Sequence, residues 1–302
     1  MAFHFKKKES PTRAIRRLSR ERIGKALGHL RECDRLEGIH SVRKEIKKVR
    51  ATLGLVRGKM GGNAYRKRVK ALRAAAKCLQ DPRDARVRPQ ALERLVDHFK
   101  SRLPARPFAG IRKVLNQNCR VEVREFRKDK SAAVVGRLLR KMNRRASDLK
   151  VKGDGWAAIQ PGLRESYSHG RKAYETALNG TSPENLHQWR KHVQNLWHQL
   201  RLLHSIRPEN LRAAVGEMKL LSQYLGDDHD LVMLRQFVAG HCARRYAREV
   251  RMLDELVDLR QQELRSAAFA LGAGFYAEKP SSFCRRLGNY WRIWRVREKS
   301  KG

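Results

Sequence analysis

The sequence predicts an all-α fold, and three observations support this prediction. Apolar residues recur at helical spacing along most of the chain, which is the pattern of amphipathic helices. Glycine and proline stand at the ends of these stretches. No Asn-Gly or Asp-Gly pair lies between alternating runs, so no hairpin is indicated. Basic residues recur at the same spacing as the apolar ones, which predicts helices with one apolar and one cationic face.

The clearest two-faced helix covers residues 39–56. Its apolar stripe consists of Val42, Ile46, Val49, Leu53 and Val56. A basic stripe begins two positions earlier and consists of His40, Arg43, Lys47 and Arg50. Because two positions correspond to about 200° of rotation on an α-helix, the basic stripe lies opposite the apolar one.

The bulk composition restricts the class of protein. The chain has 302 residues, of which 41 % are hydrophobic, and this is enough for a folded core. It carries 69 basic and 30 acidic residues, a formal net charge of +39, so a polyanionic partner is expected. No uncharged apolar run approaches about 18 residues, the first residues lack the apolar segment of a signal peptide, and the five cysteines form no Cys-x-x-Cys motif. These features predict a cytoplasmic protein with free thiols and no membrane segment.

Helical periodicity and helix-end residues divide the chain into elements. Residues 1–10 are predicted to be a tail, and Ser10-Pro11 is predicted to cap the first helix. Acidic turns are predicted at 81–84, where one would cap the following helix, and at 225–231, where one would end a helix. The predicted helices cover about 11–35, 39–58, 63–79, 84–102, 108–129, 131–149, 159–178, 186–203, 208 to the acidic turn, 229–248, 248–271 and 283–296.

The sequence contains an internal repeat. The motif His-x-x-Arg-Lys occurs at His40 and again 147 positions later at His187, each time with the same phase relative to its apolar stripe. The hexapeptides 79–84 and 225–230 repeat at an offset of 146. A duplicated chain would form two similar helical bundles about a pseudo-twofold axis, with their basic faces converging on a central groove or pore. The predicted division is a first half at 11–150, a linker at 151–156 and a second half at 157–302.

Basic stripes on other helices extend this candidate surface. The helix at 63–79 carries one at i, i+4, i+7 and i+11, and the repeat offset assigns two equivalents in the second half. These residues are Arg66, Lys70, Arg73, Lys77, Arg212 and Lys219. A solvated helix also presents a polar face opposite its core. However, solvated stripes normally mix lysine with glutamate, and only Glu45 interrupts the helix at 39–56.

Taken in order, these motifs resemble the CHAD domain, the conserved histidine α-helical domain. The resemblance lies in both His-x-x-Arg-Lys motifs, the segment at 225–230, the helix at 161–171 that precedes the second histidine, and the tryptophan- and arginine-rich ending at 283–292. It extends over residues 12–297, which is nearly the whole chain.

The resemblance implies an all-helical fold that binds inorganic polyphosphate in a basic central groove, without catalysis, at bacterial polyphosphate granules. The positions that match the motif are His40, Arg43, Lys44, Lys47 and Arg50 in the first half, and His187, Arg190 and Lys191 in the second. Further candidates for the polyphosphate site are Arg20, Arg66, Lys70, Arg73, Lys77, Tyr167, Arg171, Arg201, Arg212 and Lys219. Gln194 and Trp197 replace the equivalents of Lys47 and Arg50, so the second half is expected to contribute less charge. No cofactor or metal is expected.

Two other functions fit parts of the pattern. A nucleic-acid-binding protein would carry the same excess of positive charge, but few aromatic residues are interleaved with the basic stripes. A polyphosphate phosphohydrolase would need a P-loop or an acidic metal cluster, and the sequence has neither motif. The oligomeric state is not determined by the sequence.

The sequence leaves more than one role open for several side chains. His40 and His187 are predicted to donate to phosphate, or to bond to neighbours as polar residues at a helix start; metal binding is the less favoured third interpretation, because a basic face repels cations. Asp84 and Asp230 are predicted either to cap helices or to orient arginines. Tyr167 either extends the groove or belongs to the core.

Overall fold

A computed structural model describes residues 3–32 and 36–296 of the chain. Within these residues the chain forms eleven α-helices and no strand, so the predicted all-α fold is confirmed. No helix in this described part of the chain has the length and apolarity needed to cross a bilayer. In chain order the helices are α1 (Pro11–Arg31), α2 (Leu36–Leu55), α3 (Gly62–Lys77), α4 (Gln80–His98), α5 (Ala109–Lys128), α6 (Ser131–Arg144), α7 (Gly155–Asn179), α8 (Pro183–Leu203), α9 (Pro208–Cys242), α10 (Ala247–Tyr276) and α11 (Pro280–Val296).

Two helix starts follow the capping pattern of the sequence. The hydroxyl of Ser10 accepts a hydrogen bond from the backbone N–H of Arg13 at 3.3 Å, with Pro11 in the first turn of α1. The hydroxyl of Ser182 accepts from the N–H of Asn185 at 3.1 Å at the start of α8. A serine hydroxyl satisfies a donor that the first turn leaves free, and proline lacks such a donor. These short motifs therefore define where α1 and α8 begin.

The predicted acidic turn at 225–231 is wrong, because α9 continues through it without a break. The carboxylates of this segment are bound by side chains from other helices and do not cap a helix end. Asp228 is only 2 % exposed and accepts hydrogen bonds from Arg265 at 2.7 Å and Gln261 at 3.1 Å. With these partners supplied, nothing in the segment forces the backbone out of the helix.

The corresponding segment of the first half is interrupted, since α3 ends and α4 begins on either side of residues 78–79. Leu79 occupies the N-cap of α4 and makes no side-chain capping bond. Asp84 does not cap this helix, because its carboxylate accepts a hydrogen bond from Arg83 instead. The predicted end of the first helix near residue 35 lies outside the described residues, as does Cys33.

The buried apolar side chains of the described residues form two clusters. The larger one includes residues of α1, α2, α7 and α8, and the smaller one combines α4 and α5 with parts of α9 and α10. Each cluster therefore takes helices from both halves of the sequence, and the halves do not have separate cores. The division at 11–150, 151–156 and 157–302 stays a prediction about the repeat.

Helices at equivalent places in the predicted repeat have matching neighbours. α1 packs on α2 and α6, while α7 packs on α8 and α11; α4 packs on α5, and α9 packs on α10. The two helices that carry the His-x-x-Arg-Lys motif, α2 and α8, pack on each other, and so do α4 and α9. A pseudo-twofold axis would produce this arrangement, although the duplication itself stays a prediction.

Residues 3–10 contact the helical bundle, mainly through Phe5. Phe5 is fully buried. Its N–H donates to the carbonyl of Leu202 at 3.1 Å, and its ring lies edge-on to Trp291 with 5.5 Å between centroids. Burial of the ring contributes part of the free energy that holds this segment. Hydrogen bonds contribute as well, since the side chains of Arg17 and Ser205 donate to the carbonyls of His4 and Phe5 at 3.0 Å each.

The contact between α2 and α7 depends on Gly162, and this dependence can be tested. A Cβ at this position would lie 2.3 Å from the carbonyl oxygen of Leu55 and 2.4 Å from that of Gly54. We expect Gly162→Ala to lower the free energy of unfolding by about 1–3 kcal/mol, because α2 and α7 would have to separate. Urea denaturation followed by circular dichroism measures this change.

Gly216→Ala on α9 is the matched control, since no atom lies within 4 Å of a Cβ built there. Alanine is the better helix former, so this variant is expected to raise the free energy of unfolding by up to about 1 kcal/mol. Equal effects of the two substitutions would contradict the close contact at Gly162.

Candidate functional site

A cavity of about 470 Å³ lies where α2, α4, α8 and α9 meet, and we call it the central cleft. Its walls carry residues from both halves of the chain. From α2 and α4 they are Arg43, Lys47, Arg50, Gln80, Arg83 and Asp84; from α8 and α9 they are His187, Arg190, Lys191, Gln194, Asn195, His198, His229 and Met233. The structure thus brings six of the predicted site residues together, namely Arg43, Lys47, Arg50, His187, Arg190 and Lys191.

The register of α2 and α8 explains why these side chains face the same space. On α2 the residues beside the cleft-lining ones, such as Val42 and Ile46, are buried in the core. On α8 the buried residues are Trp189 and Val193. Because the two helices pack on each other, the polar faces that lie beside these buried stripes line one cavity and do not point away in two directions.

Asp84 on the cleft wall and Asp230 behind Arg83 are both bound to arginine. Arg83 donates to Asp84 at 2.8 Å and to Asp230 at 3.1 Å, and Asp230 also accepts from Arg94 at 3.1 Å. Burial lowers the pKa of Arg83, but Asp230 and then Asp84 outweigh it, so its pKa is raised. Of the two interpretations of Asp84 and Asp230, orientation of arginines is the one that the structure supports.

Three other cations of the cleft, Arg43, Lys47 and Arg190, are near Asp84 or Asp230 but form no hydrogen bond or ion pair with a carboxylate of the described chain. Burial, followed by the charges of Arg190, Arg83 and Arg43, lowers the pKa of Lys47 to about 7. Burial also lowers the pKa of Arg190, and the Nε of Arg190 has no hydrogen-bond partner within the described chain. Arg43 donates to the backbone carbonyl of Ala76 and not to a carboxylate. An anion in the cleft would therefore meet cations that are held close together and only partly neutralised.

Three histidines line the cleft and are neutral at neutral pH. Burial is the main cause in each case: it lowers the pKa of His187 to about 4, and those of His198 and His229 to about 3, with nearby cations adding to the effect. The ring centroids of His187 and His229 lie 4.6 Å apart. The Nδ1 atoms of His187 and His198 are buried and have no hydrogen-bond partner among the described residues.

His40 does not line the central cleft, although the repeat makes it the equivalent of His187. It lies in an adjoining cavity of about 260 Å³ together with Arg83 and Arg86. Burial and then the charges of Lys47 and Lys44 lower its pKa. Since Arg83 lines both cavities, the basic surface continues from the central cleft to His40. Lys44, on the same face, is exposed.

Arg73 adds to the basic surface near Arg50 and Lys191. After burial, its charge is the largest cause that lowers the pKa of Arg50, and with Arg50 it lowers the pKa of Lys191. Arg73 therefore lies near both residues, outside the cleft wall. The other members of the α3 stripe, Arg66, Lys70 and Lys77, are exposed and do not line the cleft.

Tyr167 belongs to the core, so its assignment to the binding site is corrected. Its side chain is fully buried and its ring stacks on Phe283 at 4.2 Å. Its hydroxyl oxygen lies 3.0 and 2.9 Å from the carbonyl oxygens of Phe275 and Glu278, which share its single proton. With its polar atom satisfied and its ring enclosed, Tyr167 has no surface for a ligand.

The remaining candidates also lie away from the cleft wall. Arg171 pairs with Glu175 at 3.1 Å, and the guanidinium of Arg201 lies over the rings of Phe3 and Trp197. Three further candidates are exposed on the outer surface of their helices: Arg20, Arg212 and Lys219.

Sequence reasoning missed several residues of the cleft wall, above all Arg83, His198 and His229. A signal for two of them was present, because Arg83 and His229 occupy equivalent positions in the repeated hexapeptides 79–84 and 225–230. His198 has no equivalent signal, since only packing shows that it lines the cleft and is 3 % exposed. No group of three histidine, cysteine or acidic side chains within the described ranges could hold a metal ion.

The neutral, buried state of His198 predicts a dependence of stability on pH. Its pKa is about 3 in the folded protein, while an unfolded chain has the ordinary value of about 6.5. The unfolded state therefore binds more protons between these values, and stability is lost as the pH falls below about 6.5. As the pH falls from 6.5 to 5, we expect the free energy of unfolding to decrease by about 2 kcal/mol less in His198→Gln than in the unaltered protein.

Urea denaturation at several pH values checks this prediction. The exposed His241 provides the control, and His241→Gln is expected to follow the unaltered protein. A His198→Gln variant with the same pH profile as the unaltered protein would show that this imidazole is not the group responsible.

Comparison with known proteins gives the chain its family. The CHAD domain family matches residues 17–239. The crystal structure of the CHAD domain from the plant Ricinus communis is similar, with a TM-score of 0.64 and 16 % identity over 87 % of this chain and 91 % of the other. PptA from Streptomyces chartreusis is similar with a TM-score of 0.58 and 15 % identity over 87 % and 98 % of the two chains. No curated protein sequence matches. The family match covers most of the chain, so this protein belongs to the CHAD domain family.

Proposed function

We propose that this protein binds inorganic polyphosphate in the central cleft without catalysing its breakdown. The observation that carries the proposal is the convergence of cations from α2 and α8 on one cavity whose carboxylates are already bound to arginine. Inorganic polyphosphate is a linear anion with about one charge per phosphate and no bases. Arginine binds such oxygens in a bidentate fork, and lysine acts as a movable point charge.

The shape of the basic surface favours a long ligand over a single phosphate. Arg83 connects the central cleft to the cavity of His40 and Arg86, and Arg73 continues the surface beyond Arg50. An extended chain that follows this path would release counterions along its length, so its affinity is expected to fall steeply with salt. Recruitment to polyphosphate granules is part of this proposal.

Nucleic acid is the alternative ligand, and the cleft wall argues against it. Single-stranded nucleic acid is normally held by aromatic rings on which bases stack, in addition to basic groups. The wall of the central cleft contains no tryptophan, tyrosine or phenylalanine among the described residues. A ligand made of phosphate alone can be bound by the cationic groups of this wall, whereas nucleic-acid bases would have no aromatic ring to stack on.

Substitution of cleft arginines tests the proposed site. We expect Arg43→Gln and Arg190→Gln each to weaken binding of long-chain polyphosphate by about tenfold or more, because a hydrogen bond to a charged group contributes about 1.5–3 kcal/mol. Arg212→Gln removes the same charge from an exposed position on α9 and is expected to change affinity little. Isothermal titration at fixed salt measures all three.

Equal losses in the cleft and control variants would indicate binding by net charge alone and would remove the cleft from the proposal. DNA or RNA that displaces polyphosphate at equal phosphate concentration would favour the nucleic-acid alternative. Steady shortening of polyphosphate by the protein with Mg²⁺ or Mn²⁺ would identify a phosphohydrolase.

The role of Asp230 can be tested because an orienting role and simple charge repulsion predict opposite changes in polyphosphate affinity when Asp230 is replaced. Asp230→Asn removes a negative charge from a site for anions, which by itself would strengthen binding. However, Asp230 also holds Arg83 and Arg94 at 3.1 Å each. If it orients these arginines, we expect binding of polyphosphate to weaken severalfold, because a disordered fork loses its geometric advantage.

Glu37→Gln is the control for this experiment. Glu37 is exposed and lies 3.6 Å from Arg86 at the rim of the adjoining cavity, so its neutralisation is expected to leave affinity unchanged or slightly higher. Tighter binding by Asp230→Asn, with an unchanged thermal melt, would contradict the orienting role.

A further inference from the structure

Three lysines of α2 lie within five residues of each other and have different environments. Lys44 is exposed, and Lys47 lines the central cleft. Lys48 is buried and paired with Glu45. The reactivity of Lys47 can therefore be compared with that of an exposed lysine and of a buried, ion-paired lysine on the same helix.

The amine of Lys47 is held among cations without an acidic partner of its own. No hydrogen bond or ion pair to its Nζ occurs within the described chain. The groups that act on it are Arg43 on its own helix, Arg83 and Asp230 on α4 and α9, and Arg190 on α8. Asp230, the one carboxylate among them, is bound to Arg83 and Arg94.

This environment favours the uncharged amine of Lys47 at neutral pH. Burial and the neighbouring arginines lower its pKa to about 7, so that a large fraction carries a free amine. An exposed lysine has a pKa of about 10.4 and is neutral in only about one molecule in a thousand near pH 7.4. Desolvation beside other cations is a known way to activate a lysine amine.

The same arginines that surround Lys47 would hold a phosphate group. Arg43, Arg83 and Arg190 line the cleft with Lys47, and guanidinium groups bind phosphate oxygens in a directed way. A small molecule that joins a phosphate to an acyl group would be bound by its phosphate with its carbonyl carbon near the free amine. Such proximity raises the rate of a reaction between two groups.

We propose that Lys47 is a modification site that is acylated by small acyl phosphates bound in the central cleft. The lone pair of Nζ attacks the carbonyl carbon and forms a C–N bond. The bond from that carbon to the phosphate oxygen breaks, and inorganic phosphate leaves with the electron pair. The nitrogen then loses a proton to solvent. The reaction needs no oxidant, reductant or further reactant.

Acylation would control access to the cleft. The amide is uncharged and larger than the amine, so it removes one cation and occupies part of the cavity. The inference rests on the proposed binding of phosphate groups by the cleft. A modified protein is expected to bind polyphosphate more weakly than the unmodified one.

The test is site-resolved acetylation of the full chain by acetyl phosphate, followed by mass spectrometry. We expect the initial rate at Lys47 to exceed that at Lys44 by about tenfold, since the larger free-amine fraction is offset in part by lower basicity. Lys48 is expected to react most slowly. A rate at Lys47 no higher than at Lys44 overturns the proposal.

Two further measurements separate phosphate guidance from simple amine reactivity. N-hydroxysuccinimidyl acetate carries no phosphate and is expected to show a smaller preference for Lys47. Arg190→Gln removes a phosphate-binding group and also a charge that lowers the pKa of Lys47, so its effect is compared between the two reagents: the rate at Lys47 is expected to fall more with acetyl phosphate than with N-hydroxysuccinimidyl acetate. Pyrophosphate is expected to protect Lys47 from acetyl phosphate. The same preference with both reagents, or no protection, overturns the role of bound phosphate.

Failure of the inference about Lys47 can be distinguished from failure of the proposed polyphosphate binding. Selective acetylation together with no affinity for long-chain polyphosphate would reject the polyanion and retain the acyl phosphate site. Normal affinity for polyphosphate without selective acetylation would reject only the inference about Lys47.

Discussion

The contact between α2 and α8 is the constraint on which the rest of the structure depends. The apolar stripes of the two helices are buried in the same core, and Gln199 of α8 donates to the backbone carbonyl of Ala51 of α2 at 3.3 Å. With the apolar faces held in this way, the basic faces next to them share one cavity. The cleft is therefore a consequence of how the cores pack and does not need attraction between its own side chains.

Charges in the cleft oppose its formation, and the structure compensates only part of this cost. Asp84 and Asp230 neutralise Arg83, while Lys47 and Arg190 lie in a buried, cationic environment that lowers their pKa values. Binding sites are often less stable than the rest of a protein because the unliganded state keeps unfavourable interactions. An anionic ligand would remove this repulsion, which links the stability of the cleft to its occupancy.

Several errors of sequence reasoning have one physical origin. The glycine and aspartates of segment 225–231 predict a turn, and the position of Tyr167 near Arg171 on one helix face predicts a place at the groove. In both cases the partner on another helix decides the outcome. Arg265 and Gln261 bind Asp228 inside a continuous helix, and Phe283 covers the ring of Tyr167.

The sequence by itself determined the all-α class, most helix positions and the two-faced character of α2 and α8, because helical periodicity and capping are local properties. It also identified six residues of the cleft, since they lie on the motif faces. Only the tertiary structure decided that His187 lines the cleft while His40 lies beside it, and that Arg83, His198 and His229 join the wall. The physical reason is that periodicity defines which side chains share a face, whereas the packing of other helices decides what that face meets.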